Sequence, residues 1–446
     1  LRGAEQCGGE ALEGRGPLVR GGLRRRRQAR GRGGRSRRRR RGRWLWERRR
    51  RRGGGVGPGN GEPVFEAVDA SPLGLQRAPG GGQRDDRGGE EEGEKKLHPE
   101  GKRTPARRSR LNSGSGLTTT LLLRAGRDDA ARRRHPWIFS RAIAGSPPAG
   151  EVEVRSASRQ LLGRGFASPR SSIAARLWRC GEGPLDASYV RGLVVDAARL
   201  RERFVPAGTD GYRVVHAEGD GLPGLVVDRY ADVLVVQATT EGTDSARPLW
   251  LPPLRDLFPK ASILQRNDLA SRHGEGLPLE DELLAGERPP GSVPFREHGL
   301  TFRADLAGGQ KTGFFLDQRE NRNLVRGLSA GRSVLNLFSY SGAFGVAALA
   351  GGAARVTHVD VSEPALALAR ENHEANGQEP DRVETVAADV FEDLRRRVGR
   401  GETWDVVVTD PPAFAKKTAD VDRACRGYKD VNRLALKLLA PGGLLL

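Results

Sequence analysis

Four side chains with hydrogen-bonding oxygens lie at or near the ends of four successive apolar segments, and a helical stretch follows each segment. The apolar segments fall between residues 333 and 409 and are predicted to be strands. In an open parallel sheet, ligands bind in the crevice outside the carboxyl ends of the strands. The repeated placement therefore predicts a pocket for a nucleoside cofactor, lined by Asn336, Asp360, Asp389 and Asp410.

The segment 338–345, Phe-Ser-Tyr-Ser-Gly-Ala-Phe-Gly, follows the first of these strands and opens a helix. A dinucleotide site needs a third close glycine and a helix amino terminus directed at pyrophosphate. This loop has two glycines and carries polar side chains where phosphate-cradling glycines would be, so it favours a neutral or cationic ligand end. The predicted cofactor contacts are Phe338, Tyr340, Ser341 and Gly342. By itself, the loop is equally well interpreted as a structural turn.

The next two strand ends each carry an acid with its own predicted role. Asp360 lies 18 residues after Gly342, the spacing of an acid that accepts hydrogen bonds from ribose hydroxyls. Asp389 follows the third strand and is predicted to accept from an adenine amino group. Ser362, in contrast, is predicted to cap a helix.

Asp410, Pro411 and Pro412 form a loop after the fourth strand. Two prolines fix the backbone and remove two donors, so we expect a rigid loop with outward-facing carbonyls, suited to a planar amino or amide group. Asp410 is the predicted catalytic residue and also a predicted cofactor contact. Pro411 and Pro412 are predicted to contact the substrate.

Composition and periodicity divide the chain into four parts. Residues 1–115 are rich in Gly, Arg and Glu and are predicted to be disordered. Residues 116–190 contain short strands and one predicted helical start at His135–Phe139, which indicate a small barrel-like β module. Residues 191–299 are predicted to be an α+β domain. Alternating strands and helices in residues 300–446 predict a doubly wound α/β domain with a parallel sheet.

The formal charge of +20 comes almost wholly from residues 24–52, which hold 18 arginines and one acid. The remaining residues carry about +3, too little to indicate a partner. The arginine-rich segment also contains Trp44 and Trp46, so one interpretation is an RNA-binding arm. We favour the other interpretation, an upstream extension that is not part of the working protein.

Cysteine occurs at positions 7, 180 and 425 without metal-ligand spacing, so we expect a metal-free protein of a reducing compartment, the cytoplasm. The uncharged stretch 333–354 has the length of a membrane helix, but its polar and glycine residues favour strand, turn and helix. No membrane association is therefore predicted. Because the chain starts at Leu1, contains no Met and ends in an apolar run at Leu446, we expect a fragment.

Five segments form a specific combination that extends beyond the strand ends. They are His135–Ser140 (HPWIFS), Asp220–Asp228 (DGLPGLVVD), Gly309–Arg319 (GQKTGFFLDQR), Asp410–Phe414 (DPPAF) and Cys425–Asp430 (CRGYKD). Over residues 117–446, this combination resembles the bacterial ribosomal RNA large-subunit methyltransferases that make 5-methylcytosine, a family of class I S-adenosylmethionine enzymes.

The resemblance implies a PUA RNA-binding domain, a central α+β domain and a Rossmann-like methyltransferase domain truncated at its carboxyl end. It implies S-adenosyl-L-methionine as the cofactor and large-subunit ribosomal RNA as the partner, and we also expect a homodimer. The segment 309–319 is expected to close over cofactor and target base, with Phe315, Gln318 and Arg319 contacting the substrate. Residues 308–312 end like a phosphate-binding loop, but Gln310 replaces the glycine before lysine, so nucleotide hydrolysis is not predicted.

Methylation at carbon 5 of cytosine needs a cysteine thiolate that first adds at carbon 6. Ala413 follows Pro412, where some RNA cytosine methyltransferases carry this cysteine. The resemblance places the nucleophile just after the fifth strand, beyond Leu446, and Cys425 is a weaker candidate near a predicted helix start. Two alternatives stay open: a methyltransferase that acts on a base nitrogen through the Asp410 loop, and a non-catalytic RNA-binding protein.

Overall fold

The computed structural model describes residues 119–415 and 417–446, and its first part is a five-stranded β module. The predicted disordered segment 1–115 lies outside the described residues. In the module, the strand order is β1-β3-β4-β5-β2, and Val152, Val154 and Leu177 lie in its core. Its elements are β1 (Thr119–Leu122), α1 (Asp129–Arg132), β2 (Trp137–Phe139), β3 (Gly150–Arg155), β4 (Leu161–Ala167) and β5 (Ile173–Cys180).

The helical start predicted at His135–Phe139 is wrong, because the last three residues of this segment, Trp137–Phe139, form β2. Trp137 and Ile138 pair antiparallel with β5, opposite Arg176 and Ala175. Aromatic and β-branched residues fit a pleated surface, and the preceding proline is tolerated at the start of an edge strand. The sequence pattern of this short segment therefore indicated the wrong element.

A second five-stranded sheet, ordered β10-β9-β8-β7-β6, forms the central α+β part. The predicted strand pair is present, as β7 and β8 run antiparallel around Ala231 and Asp232. Helices pack over this sheet through Val190, Val194 and Trp250. The elements are α2 (Ala187–Phe204), β6 (Gly211–His216), β7 (Leu225–Tyr230), β8 (Val233–Ala238), α3 (Glu241–Ser245), α4 (Arg247–Leu257), β9 (Ser262–Gln265), α5 (Ala270–Glu275) and β10 (Glu282–Ala285).

A hairpin, β11 (Ser292–Glu297) and β12 (Leu300–Asp305), leads into the third part, a five-stranded sheet in which every pairing is parallel. The order β15-β14-β13-β16-β17 reverses direction at β13, which confirms the predicted doubly wound architecture. Its elements are α6 (Arg319–Leu328), β13 (Ser333–Leu337), α7 (Ala343–Ala350), β14 (Arg355–Asp360), α8 (Glu363–Glu374), β15 (Val383–Ala387), α9 (Val390–Gly399), β16 (Trp404–Thr409), α10 (Val421–Lys437) and β17 (Leu439–Leu445).

The uncharged stretch 333–354 contains β13, a turn and α7, as predicted. Both elements are largely buried. β13 is a central parallel strand, and such strands are covered by helices on both faces. Within the part of the chain that the structure describes, no helix is long and apolar enough to cross a membrane.

Candidate functional site

The parallel sheet brings the predicted site residues to one edge. Phe338 directly follows β13, Asp360 is the last residue of β14, and Asp410 directly follows β16. Asp389 follows β15 at the same edge, one strand further out. Strands β14 and β16 flank β13 on opposite sides, so the crevice where the strand order reverses opens between their loops.

The loop between β13 and α7 has an unusual backbone for residues with side chains. Phe338 has φ +54°, Tyr340 has φ +46° and Gly342 has φ +70°. Two non-glycine residues in the left-handed region cost free energy and are typical of functional loops. A Cβ atom on Gly342 would lie 2.6 Å from the Cβ atom of Ala369, so both conformation and packing require glycine there.

Asp360 fastens this loop to the end of β14. Its Oδ2 accepts a hydrogen bond from the Tyr340 amide at 2.8 Å, and its Oδ1 accepts from the Ser362 amide at 2.9 Å. Ser362 caps α8 as predicted, since its hydroxyl accepts from the Ala365 amide. A carboxylate has about four lone-pair positions, so Asp360 keeps acceptor capacity for two further donors.

Asp389 caps a helix, a role that we predicted from the sequence only for Ser362. Its Oδ1 accepts from the Glu392 amide at 3.1 Å, and its extended backbone makes it the amino-terminal cap of α9. The residue is exposed at the sheet edge. Capping uses one carboxylate oxygen and leaves the other with capacity for a ligand amino group.

Asn336 lies near the end of β13, as predicted, but it is buried, so it supports the cofactor loop from behind and does not face the pocket. Its Nδ2 donates to Nδ1 of His358 at 3.1 Å, His358 Nε2 lies 2.9 Å from Nε2 of His373, and His373 Nδ1 lies 2.5 Å from Oε1 of Gln378. Gln378 Nε2 then donates to the Val346 carbonyl in α7. Asn336 therefore starts a buried chain of hydrogen bonds behind the cofactor loop.

Asp410 meets the segment 309–319 across the crevice. Its Oδ2 accepts from Gln318 Nε2 at 3.1 Å, and Gln318 Oε1 accepts from Asn321. Although Asp410 borders solvent, neighbouring atoms partly desolvate its carboxyl group, and this burial together with the nearby charge of Asp317 raises its pKa. The ammonium of Lys311 holds both oxygens of Asp317 at 2.8 Å.

Two further predicted substrate contacts, Phe315 and Arg319, and one predicted cofactor contact, Ser341, differ in their surroundings. Phe315 packs edge-on against Tyr340, with ring centroids 5.4 Å apart, so it bridges segment 309–319 and the cofactor loop. Arg319 instead pairs with Glu320 at 3.0 Å at the start of α6. Ser341 is buried, and its carbonyl accepts from Asn372 at 2.9 Å.

The Asp410–Phe414 loop is held from α10 by Tyr428, which sequence reasoning did not single out. The Phe414 amide donates to the Tyr428 hydroxyl at 3.2 Å, and that hydroxyl donates to the Pro412 carbonyl at 3.4 Å. The rings of Phe414 and Tyr428 also stack, with centroids 4.5 Å apart. One predicted outward-facing carbonyl is therefore used within the protein, whereas the side chain of Pro412 remains exposed.

The two described cysteines differ in environment, and both are free thiols. Cys180 lies at the end of β5 in the β module, where burial raises its pKa. Cys425 is exposed and is the fifth residue of α10, not a first-turn residue as predicted. The helix-terminus argument for an activated thiol at this position is weaker than the sequence indicated, because the dipole effect fades after the first turn.

One polar atom in the cofactor loop supports a bound ligand. The hydroxyl of Ser339 is buried and makes no hydrogen bond within the described part of the chain. A buried hydroxyl without a partner is costly, and a ligand atom in the crevice would relieve that cost. With Asp360 beside it and no third glycine for a pyrophosphate, the loop fits a nucleoside with an uncharged or cationic tail.

The sheet order and the loop at its carboxyl edge define a Rossmann-like domain, and the family model that it matches is that of S-adenosylmethionine-dependent methyltransferases. Residues 266–446 match the family model of S-adenosylmethionine-dependent methyltransferases, and residues 121–179 match that of PUA-like domains. The cofactor of this protein is S-adenosylmethionine, as predicted.

Solved structures share this arrangement over most of the chain. A protein from Streptococcus mutans, assigned as a SAM-dependent methyltransferase, is 26% identical with a TM-score of 0.62, covering 74% of this chain and 85% of its own. A second structure, assigned as a methyltransferase and complexed with SAH, is 25% identical with a TM-score of 0.63 over the same shares.

Curated relatives identify the family more closely. Ribosomal RNA large subunit methyltransferase I of Photobacterium profundum is 43% identical over 337 residues, 74% of this chain and 85% of the relative. The protein of that name from Shewanella amazonensis is 44% identical over 336 residues, again 74% and 85%. The chain belongs to the ribosomal RNA large subunit methyltransferase I family.

Proposed function

We propose that this protein methylates carbon 5 of a cytosine in large-subunit ribosomal RNA. The substrate class is supported by the names of the relatives and by the PUA-like module that precedes the catalytic domain. The single observation that carries the proposal is the position of Asp410, beside the cofactor loop and opposite Gln318 in an open crevice. RNA enzymes act on bases that are splayed out of a helix, and such a crevice can receive one.

The cofactor supplies a methyl group activated by an adjacent sulfonium. In this proposal, Asp360 binds the ribose hydroxyls, Asp389 accepts from the adenine amino group, and Ser339 donates to a polar atom of the cofactor. Phe338, Tyr340, Ser341 and Gly342 form the loop that lies against the cofactor. The ring of Phe315 closes the other side, because it already packs against Tyr340.

Asp410 orients the base. A carboxyl group with a raised pKa can accept from the amino group of cytosine or, when protonated, donate to its ring nitrogen. Gln318 fixes this carboxyl group, and Pro411 and Pro412 hold the loop rigid against the base. Arg319, at the crevice rim, contacts the RNA backbone.

Cytosine chemistry adds a requirement for a thiolate. The thiolate forms a bond to carbon 6, which makes carbon 5 nucleophilic enough to take the methyl group; a base then removes the carbon 5 proton and the carbon–sulfur bond breaks. We place the cysteine in the segment that follows Leu446. The Leu446 carbonyl accepts from the Thr409 amide at 2.8 Å, so Leu446 lies beside the residue that precedes Asp410.

The test is a map of 5-methylcytosine in large-subunit ribosomal RNA from cells that lack the full-length gene. Loss of one modified cytosine, restored by the wild-type gene, supports the proposal. An unchanged cytosine pattern with loss of a methyl group on a base nitrogen would support the alternative chemistry and contradict ours. A cytoplasmic location and a homodimer belong to the same proposal, and light scattering of the purified protein tests the dimer.

A further inference from the structure

Segment 309–319, which carries Phe315 and Gln318, is fixed by polar side chains of the central domain. The hydroxyl of Thr312 lies 2.6 Å from Oδ2 of Asp228 on β7 and 2.8 Å from the hydroxyl of Tyr230 on the same strand. Arg213 on β6 holds Asp228 from the other side, with Nε 2.8 Å from Oδ1 and a terminal nitrogen 3.0 Å from Oδ2. We call Arg213, Asp228, Tyr230 and Thr312 the central-domain anchor.

The direction of each hydrogen bond in this anchor follows from the buried carboxylate, which accepts, and from the tyrosine, which stays protonated. Asp228 is 1% exposed, and both Tyr230 and Thr312 are fully buried. A carboxylate can only accept, so Thr312 donates to Asp228 and accepts from Tyr230. Burial and the charge of Asp228 raise the pKa of Tyr230 well above its ordinary value, so its hydroxyl keeps the proton that it donates.

Two more hydrogen bonds join the central domain to segment 309–319, so the anchor does not hold this segment alone. Arg266 donates to the Gly309 carbonyl at 2.9 Å, and Gln237 donates to the Lys311 carbonyl at 3.4 Å. Beyond Thr312, the chain turns towards the crevice, where Gln318 donates to Asp410. Only five residues therefore lie between the buried Thr312 and Gln318, whose side chain contacts the carboxyl group of Asp410.

We infer that the central domain supplies positioning residues for methyl transfer, with Asp228 holding Thr312 and so setting the place of Gln318 and of Asp410. The inference rests on the proposed role of Asp410. Bonds to a buried charge are stronger than neutral ones, so loss of the Thr312 hydroxyl should let segment 309–319 shift. A shift of about 1 Å in a catalytic arrangement costs about a hundredfold in rate.

The test compares Thr312→Val, which keeps the shape and removes the hydroxyl, with Thr312→Ser, which keeps the hydroxyl. We expect Thr312→Val to lower kcat by at least about tenfold, a larger factor than its effects on KM for RNA and Kd for S-adenosylmethionine, which a shift of Arg319 and Phe315 would also change. Thr312→Ser should restore most of kcat. The control is Asp256→Asn, which removes a largely exposed acid paired with Arg191 in the same domain. Should Thr312→Val not fold, Tyr230→Phe tests the same anchor with less disturbance, because it removes only the hydrogen bond from Tyr230 to Thr312.

Unchanged kcat in Thr312→Val, or a loss that Thr312→Ser shares, would overturn the inference. Hydrogen exchange of the amides in residues 310–318 provides a readout that needs no substrate. Faster exchange in Thr312→Val alone supports the anchor, and equal exchange in both variants overturns it. A wild-type protein that leaves ribosomal RNA unmethylated would contradict the proposed function, while the exchange comparison would still decide the anchor.

Discussion

At the scale of single residues, two acids of the crevice each have one observed structural role and one proposed role in cofactor binding. Asp360 accepts hydrogen bonds from two backbone amides and so fixes the cofactor loop, and Asp389 caps a helix. Both also sit at strand ends where a nucleoside would bind. The second role follows from the first, because a carboxylate held by backbone amides is already oriented before the ligand arrives.

Asp360→Asn is expected to weaken cofactor binding. The amide nitrogen cannot accept a hydrogen bond, so either the Tyr340 amide or the Ser362 amide loses its partner, and the ribose loses an acceptor. We expect a cost of about 2 kcal/mol, or roughly thirtyfold in Kd for S-adenosylmethionine, measured by calorimetry. Glu363→Gln, an exposed acid paired with Arg370, is the matched control. An Asp360→Asn protein with wild-type Kd would contradict the assignment.

At the scale of elements, a chain of buried hydrogen bonds ties β13, β14, α8 and α7 together behind the cofactor loop. If Asn336 donates to His358, then His358 must donate to His373, and His373 to Gln378. This requires both histidines to be neutral. Burial lowers the pKa of His358 well below its ordinary value and lowers that of His373 to about 4.

This histidine pair predicts a loss of stability in acid. The unfolded chain takes up a proton at His373 below its ordinary pKa of 6.5, whereas the folded chain resists until about 4. Stability is therefore complete above pH 6.5 and falls as the pH drops from 6.5 to about 4, by about 3 kcal/mol for His373 alone.

Urea unfolding at several pH values measures this loss. His373→Gln retains a donor and an acceptor but does not titrate, so its unfolding free energy should depend less on pH across that window. His273→Gln, at the surface of α5, is the control. Equal pH dependence in wild type and His373→Gln would show that the pair does not carry the effect.

Local periodicity was sufficient to predict the parallel sheet, since its inner strands β13 and β16 have strong apolar patterns and clear flanking turns. It failed at His135–Phe139, a short segment whose state is decided by pairing with β5. The anchor could not be predicted either, because Asp228 and Thr312 are 84 residues apart and meet only after two domains pack. Both residues lie in segments that were identified as motifs, 220–228 and 309–319, but no feature of the sequence indicated that the two segments contact each other.

At the scale of the whole molecule, the β module is joined to the central domain by buried polar contacts. Glu275 accepts from the Ser168 hydroxyl at 2.7 Å and from the Glu241 amide at 3.1 Å, and it lies 3.6 Å from Arg176. Trp137 adds a bond to Glu218 at 2.8 Å. These contacts set the orientation of the PUA-like module, and we expect them to align bound RNA with the crevice.

Glu275→Gln is predicted to weaken RNA recognition without altering the chemistry. The neutral side chain leaves the charge of Arg176 less well compensated at the joint, so the module should become less firmly oriented. We expect KM for RNA to rise about tenfold, equivalent to about 1.4 kcal/mol, while Kd for S-adenosylmethionine is unchanged. Steady-state methylation assays measure both parameters, with Glu282→Gln, an exposed acid paired with Arg247, as the control. A fall in kcat by a similar factor would contradict the prediction that Glu275 affects RNA binding and not the chemistry.

The central claim is that Asp410 presents a cytosine of large-subunit ribosomal RNA to the methyl group of the cofactor. The most direct measurement incubates the full-length protein with unmodified large-subunit RNA and S-adenosylmethionine labelled in its methyl group, and then separates the digested nucleosides. We expect the label to appear in 5-methylcytidine, and we expect Asp410→Ala to lower its rate of formation by at least about a hundredfold, a larger factor than any loss of affinity for the cofactor. Label in an N-methylated nucleoside, or an Asp410→Ala protein as active as wild type, would contradict it.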